Sequence, residues 1–193
     1  MAAVKLIRPR RFGDDRGWFT ETYNSDKYQT LGVTVRFVQD NHSLSRPTHV
    51  LRGLHFQAPP RAQDKLVRCV KGRIWDVAAD VRAGSPTFGQ WVAAELTAEN
   101  GHQLFVPKGF AHGFLTLEPD TEVEYKVSDV YAPDCDGGLA WDDPTIAVAW
   151  PLGAVAPVLS DKDARLPRLA DWKSPFLYDG VPLTPLDPEP LTP

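Results

Sequence analysis

Apolar side chains recur at every second position along most of this chain, the spacing at which successive side chains of an extended strand point to opposite faces. The runs are Trp18–Tyr23, Val33–Val38, Val50–Gln57, Lys65–Val70, Arg73–Val81, Gln90–Leu96, Gln103–Val106, Gly109–Leu117 and Thr121–Ser128. Each is short, and turn-forming residues close it off, as in Lys71-Gly72, Gly84-Ser85-Pro86 and Glu118-Pro119-Asp120. Eight or more strands at this spacing predict an all-β fold, an antiparallel sandwich or barrel. Helical signals are few. Asn24–Leu31 before Gly32 predicts one short helix. Ser160-Asp161-Lys162-Asp163 has capping-box spacing and opens a second, ended before Pro167.

Length and composition sharpen this picture. The 193 residues make one domain with a short extension, and a chain of this size buries a core without metal or disulfide staples. We place the domain at 1–178 and read 179–193, with prolines at 182, 185, 188, 190 and 193, as an extended or disordered tail. Hydrophobic residues at 42% and charged residues at 24% exclude a disordered chain, and 14 glycines with 18 prolines favour turns over long helices. With 21 Lys and Arg against 25 Asp and Glu, the net charge of −4 provides no overall field for nucleic acid or an anionic membrane. Met1–Arg8 lacks the apolar core of a secretory signal, and the uncharged stretch 145–160 is short and broken by Pro151, Gly153 and Pro157. Cys69 and Cys135 then read as reduced thiols. The expectation is a soluble, cytoplasmic protein with no nucleic-acid or membrane partner.

Candidate chemistry gathers on the strand faces. Alternation in Val50–Gln57 puts Leu51, Gly53, His55 and Gln57 on one face, and Lys65 opens the next strand with Val67 and Cys69 on its own face. His112 shares a face with Phe110 and Phe114, and Tyr125 shares one with Val123 and Val127. Singly, each has an ordinary explanation: a hydrogen-bonded core histidine, a snorkelling lysine, a core tyrosine with one satisfied hydroxyl. Together, a base, a cation, a second histidine and a phenol could share one interior. Simple alternation aims Arg52 away from His55, and only a bulge at Gly53 would turn it back. Arg16, at the mouth of the Trp18 strand, and Arg52 suit phosphate oxygens, or are solvated turn residues.

Pro107–His112 resembles the second metal-binding motif of cupins. The first motif needs a His-x-His pair, and this chain has His55-Phe56-Gln57 instead, one ligand short of the usual set. The barrel resembles a cupin; the metal site does not.

Longer segments carry a more specific likeness. Asp15–Glu21, Gln39–Ser43, Val50–Gln57, Lys65–Arg68, Pro107–Phe114, Glu124–Lys126, Trp141–Pro144 and Leu159–Asp163 together resemble the dTDP-4-dehydrorhamnose 3,5-epimerase family, in its order and spacing from Phe12 to Trp172. The resemblance implies a cupin-type jelly roll, a dTDP-sugar substrate, a homodimer, and no cofactor or metal. It implies His55 as general base, Asp163 as the carboxylate that orients it (Asp161 being the alternative), Tyr125 as general acid and Lys65 as the group that stabilises the enolate. Arg16, Glu21, Gln39, Asn41, Arg52, His112 and Lys162 match substrate-contacting positions. Phe19 and Tyr131 resemble the aromatics that pack around thymidine. Asp136 departs from the family, which more often has Glu there. Asp163 also has a purely local reading, since Ser160-x-x-Asp163 is a capping box in its own right.

Overall fold

The period-two segments become strands wherever a neighbour completes the ladder. In the computed structural model, which describes residues 3–191, these are β1 (Lys5–Arg8), β2 (Arg11–Asp14), β3 (Gly17–Thr20), β4 (Gln39–Ser45), β5 (Leu51–Gln57), β6 (Lys65–Lys71) and β7 (Arg73–Asp80). They continue with β8 (Trp91–Thr97), β9 (Gln103–Val106), β10 (Phe110–Thr116), β11 (Thr121–Val127), β12 (Asp136–Gly138) and β13 (Pro188–Pro190). One sheet runs β13-β1-β9-β6-β11-β4 and the other β12-β5-β10-β7-β8, while β2 and β3 pair only with each other. Pairing is antiparallel except between β1 and β13. The two sheets face each other as a cupin-type jelly roll, the predicted all-β class.

Alternation decides what lies where. Val67, Leu104 and Val123 of the first sheet meet Ile74, Ala78 and Phe114 of the second in a core between the sheets. The odd residues of β7, Val77 and Ala79, pack outward with Leu54 and Phe56 under a cover that includes Leu139, Ile146 and Phe176. On the far side of the first sheet, Leu66 and Phe105 pack under the helix α1 (Ser25–Thr30), whose Tyr28 is fully buried. Asn24 caps that helix, its side chain accepting from the backbone N–H of Asp26 at 3.1 Å and Lys27 at 3.3 Å. The second sheet is covered outside and the first is covered in part, with a hollow of about 250 Å³ left beside Leu66, Arg68, Glu124 and Lys126 on its outer face.

Three expectations need correction. Val33–Val38 alternates but forms no strand: Val35 and Phe37 pack against the α1 cluster with no ladder partner beside them. The second expected helix is a single 3-10 turn, Asp163–Arg165. Residues 179–191 are extended but pack onto the domain, and residues 192 and 193 of the expected tail lie outside the described residues. Leu183 is buried in the inter-sheet core with Val181 and Leu186 against it, and β13 adds a parallel edge to β1. A buried arginine anchors this segment. Arg82, 1% exposed, forks onto Asp80 at 2.9 and 2.7 Å and reaches Asp179 at 2.7 Å and the Val181 carbonyl at 2.9 Å. Its guanidinium also lies over the rings of Phe110 and Tyr178.

Candidate active site

The inner face of β5 carries a local irregularity that builds the site. His55 lies opposite His112 and Arg52 opposite Phe114, so three residues of β5 span two of β10. That extra residue is a bulge, and it turns Arg52 to the side His55 faces. Gly53 makes it feasible: its φ is +133°, and a Cβ there would stand 2.5 Å from the Gly113 Cα and 2.8 Å from the His112 carbonyl. The rest is simple alternation. Lys65 opens β6 on the face of Val67 and Cys69, and Tyr125 opposes Val67 across β11.

The result is a cavity of about 250 Å³ between the sheets, whose lining includes Arg52, His55, Lys65, His112, Tyr125 and Asp163. It continues into a second hollow of about 310 Å³ beside Gln39, Asn41, Tyr131, Asp136 and Lys162. His55 belongs to one sheet and Tyr125 to the other, so the two groups stand on opposing walls.

Each side chain is held by identifiable partners. The His55 Nε2 is hydrogen bonded to the Asp163 carboxylate; Asp163, and not Asp161, makes this contact. The Ser160 hydroxyl donates to the other Asp163 oxygen at 2.9 Å and accepts from the Asp163 N–H at 3.1 Å, so Ser160 braces the carboxylate that His55 meets. Burial pushes the Asp163 carboxyl up, but the hydrogen bonds from His55 and Ser160 and the Lys162 charge outweigh it, leaving it below the usual range. Lys65, 9% exposed, lies 3.4 Å from the His55 carbonyl. Burial pulls its pKa down to about 8, against the opposing pull of Asp76 and Asp136. Burial raises the Tyr125 phenol, which Arg52 partly offsets. Arg52 itself is braced by Ser45 Oγ at 3.2 Å and the Leu44 carbonyl at 3.3 Å.

Asp76 is a residue that sequence reasoning missed. It is fully buried and meets His112 Nε2 at 2.8 Å through one oxygen, while its other oxygen has no hydrogen-bond partner. The signal was present. An aspartate between the inward-facing Ile74 and Ala78 is a buried charge that needs a partner.

At the rim, Asp136 accepts from Lys162 at 2.5 Å and from the Tyr131 hydroxyl at 3.3 Å. Three of the expected residues lie elsewhere in this chain. Arg16 and Phe19 sit on the β2–β3 hairpin, Arg16 paired with Asp14 at 2.5 Å and Phe19 68% exposed, while Glu21 meets Lys27 at 3.1 Å. None of the three lines the cavity.

Gln57, at the cupin ligand position, turns its amide to backbone groups of Arg61, Val130 and Ala132. Among the described residues, no group of three or more His, Cys, Asp or Glu gathers as a metal site, and no helix is long and apolar enough to cross a membrane.

Comparison with known proteins points one way. The family described as dTDP-4-dehydrorhamnose 3,5-epimerase matches residues 1–171. A relative of that name from Sinorhizobium fredii is 53% identical over 94% of this chain and 92% of its own. A Bacillus anthracis epimerase of that name, solved with TDP and PPi bound, is 54% identical with a TM-score of 0.83, covering 86% of this chain and 93% of that one. A Legionella pneumophila dTDP-6-deoxy-D-glucose-3,5-epimerase, solved with dTDP-4-keto-L-rhamnose, is 45% identical with a TM-score of 0.84, covering 89% and 90%.

Proposed function

We propose, on the premise that this chain belongs to the dTDP-4-dehydrorhamnose 3,5-epimerase family, that it inverts C3 and C5 of dTDP-4-dehydro-6-deoxy-D-glucose to give dTDP-4-dehydro-L-rhamnose. The observation that carries this reading is one cavity with a carboxylate-oriented His55 on one wall and the Tyr125 phenol on the other. A binding protein has no need of a base and an acid facing each other across its ligand.

The substrate's C4 ketone makes the C3 and C5 protons acidic, because either can leave as an enolate forms. His55, its Nε2 engaged by Asp163, takes the proton through its other ring nitrogen. Charge that develops on the C4 oxygen meets the Lys65 ammonium, with His112 beside it. In a dry site one such donor lowers the barrier by about 3 kcal/mol. Tyr125 returns a proton to the opposite face, and the configuration inverts. Arg52 and Lys162 provide cations for the diphosphate, and Gln39, Asn41, Tyr131 and Asp136 line the hollow left for the nucleoside.

Arg16, Phe19 and Glu21 fit this scheme through a second copy of the chain. The hairpin that carries Arg16 and Phe19 pairs with neither large sheet and exposes Phe12 at 50%, Trp18 at 58% and Phe19 at 68%. So much apolar surface on one ribbon marks a contact face. In a homodimer it would bring these residues to the partner's cleft. Light scattering should report a dimer, and a fully active monomer would contradict this arrangement.

The experiment that tests the function is incubation with the 4-keto sugar nucleotide, with products read by proton NMR in the presence of a strong chelator. Full conversion to the L-rhamno configuration is expected. No inversion at either carbon would overturn the reading, and activity that returns only on adding a divalent ion would overturn its metal-free chemistry.

A further inference from the structure

Beyond the cleft's walls, the segment that follows β11 has an unusual support. No backbone–backbone hydrogen bond reaches residues 129–131 among the described residues. Glutamine side chains take that role, one loop residue after another. Gln63 Nε2 donates to the Asp129 carbonyl at 2.8 Å, and Gln57 Nε2 donates to the Val130 carbonyl at 3.0 Å. Gln39 Oε1 accepts from the Tyr131 N–H at 3.0 Å, and Gln57 Oε1 accepts from the Ala132 N–H at 2.8 Å. Arg61 adds an ion pair to Asp129 at 2.9 Å. Two of the three glutamines, with Arg61, come from the end of β5 and the connection to β6. The strands that carry His55 and Lys65 therefore also hold this loop.

Gln57 is the centre of the arrangement. It is 4% exposed, lies two residues after His55, and spends both its carbonyl and its amide on the loop and on the Arg61 carbonyl. A buried primary amide is costly unless satisfied, and only an amide can donate at one end and accept at the other in this geometry. What the loop presents is Tyr131, 59% exposed, with its hydroxyl on Asp136.

We propose that Gln57, assisted by Gln63 and Gln39, is a positioning residue that fixes the Tyr131 loop as a preformed platform for the base of the sugar nucleotide. This inference rests on the proposed dTDP-sugar reading of the cleft. Preorganising a contact loop cuts the ordering cost of binding, so its loss falls on affinity and not on the proton-transfer step.

The test is Gln57→Glu, nearly the same shape, in which an oxygen replaces the amide nitrogen and faces two carbonyls. In the ligand-free protein, amide hydrogen exchange of residues 128–136 should speed up by about tenfold or more while the rest of the sheet stays protected. The Kd for dTDP and the KM for the sugar nucleotide should rise together by about tenfold, with kcat changed by less than about threefold. In a Tyr131→Ala background, adding Gln57→Glu should change the dTDP Kd by less than about twofold, since the platform is already gone. Gln63→Leu, at a half-buried site, should give a smaller version of the same exchange change and serves if Gln57→Glu does not fold.

Unchanged loop exchange in the ligand-free variant overturns the positioning role whatever the ligand. A loss of kcat with unaltered KM, or full additivity with Tyr131→Ala, overturns it too. Failure of the unmodified protein to bind dTDP overturns instead the functional reading and the platform's purpose, while the exchange data still decide whether the glutamines hold the loop.

Discussion

His55 reaches its carboxylate across to a loop turn at the rim, whereas His112 reaches its carboxylate on a neighbouring strand in the interior. The His55 side chain is 28% exposed and that of His112 is 8%. Asp163 has both oxygens engaged, by His55 and Ser160, while Asp76 has one oxygen on His112 and the other without a partner. The same residue pair therefore stands in two different environments. At the rim, a satisfied carboxylate fixes the tautomer of a histidine that substrate can reach, which suits a base. In the interior, a shielded histidine holds a fixed direction, and the uncommitted charge of its aspartate acts on Lys65.

Substitutions can break this comparison, and the largest effect belongs to the rim. His55→Ala should lower kcat by about 10³–10⁴ and abolish solvent exchange at both carbons. Asp163→Asn should cost about 10²–10³, because a neutral amide no longer favours the productive tautomer or the imidazolium that forms. Lys65→Met should follow with about 10²-fold, slowing both exchanges alike by weakening enolate stabilisation.

Lys65 should also set a pH limit. A lysine pulled down to about 8 is a cation below that pH and neutral above it, so kcat/KM should be sustained below a basic limb near 8 and fall above it. Asp76→Asn is the smallest change, about tenfold in kcat, but it sharpens the comparison most. Asp76 raises the Lys65 pKa, so its neutralisation should move the basic limb to lower pH, whereas Asp163→Asn should leave the limb in place. A limb that moves equally in both variants would make the two pairs equivalent.

Much of this was legible in the sequence where the information is local. The α1 helix stands on its Asn24 cap, and β5 to β11 follow their alternation to within a residue or two at each end. The Gly53 bulge was legible as a condition: without it Arg52 points away, and the structure has it. What depends on distant partners was not legible. Val33–Val38 has the strand period but is tied by its backbone only at the two ends, Val33 to the Tyr28 carbonyl and Val38 to the Val127 carbonyl, so Val35 and Phe37 pack by their side chains without a ladder. The proline-rich end has few donors, yet its Leu191 N–H reaches the Arg8 carbonyl at the end of β1, and Arg82, one hundred residues upstream, holds it down through Val181 and Asp179. Asp163 had a local reading as half of a capping box, but the turn it opens carries no side-chain cap, and its carboxylate goes to His55 and the Ser160 hydroxyl instead. Asp76 was overlooked for a different reason: its neighbours made the stretch look like core, and only counting the charge would have exposed it.

The most direct measurement of the central claim, a base and an acid on opposite walls, is deuterium incorporation from D₂O followed by NMR at C3 and C5 in the unmodified protein and in Tyr125→Phe. The account expects deuterium at both carbons in the unmodified protein. In Tyr125→Phe it expects exchange to persist while the L-configured product falls sharply, because the enolate still forms and is reprotonated from the His55 side. Deuterium at one carbon alone would contradict double inversion. Loss of exchange in Tyr125→Phe, with the fold intact by circular dichroism, would contradict the assignment of base and acid to separate walls.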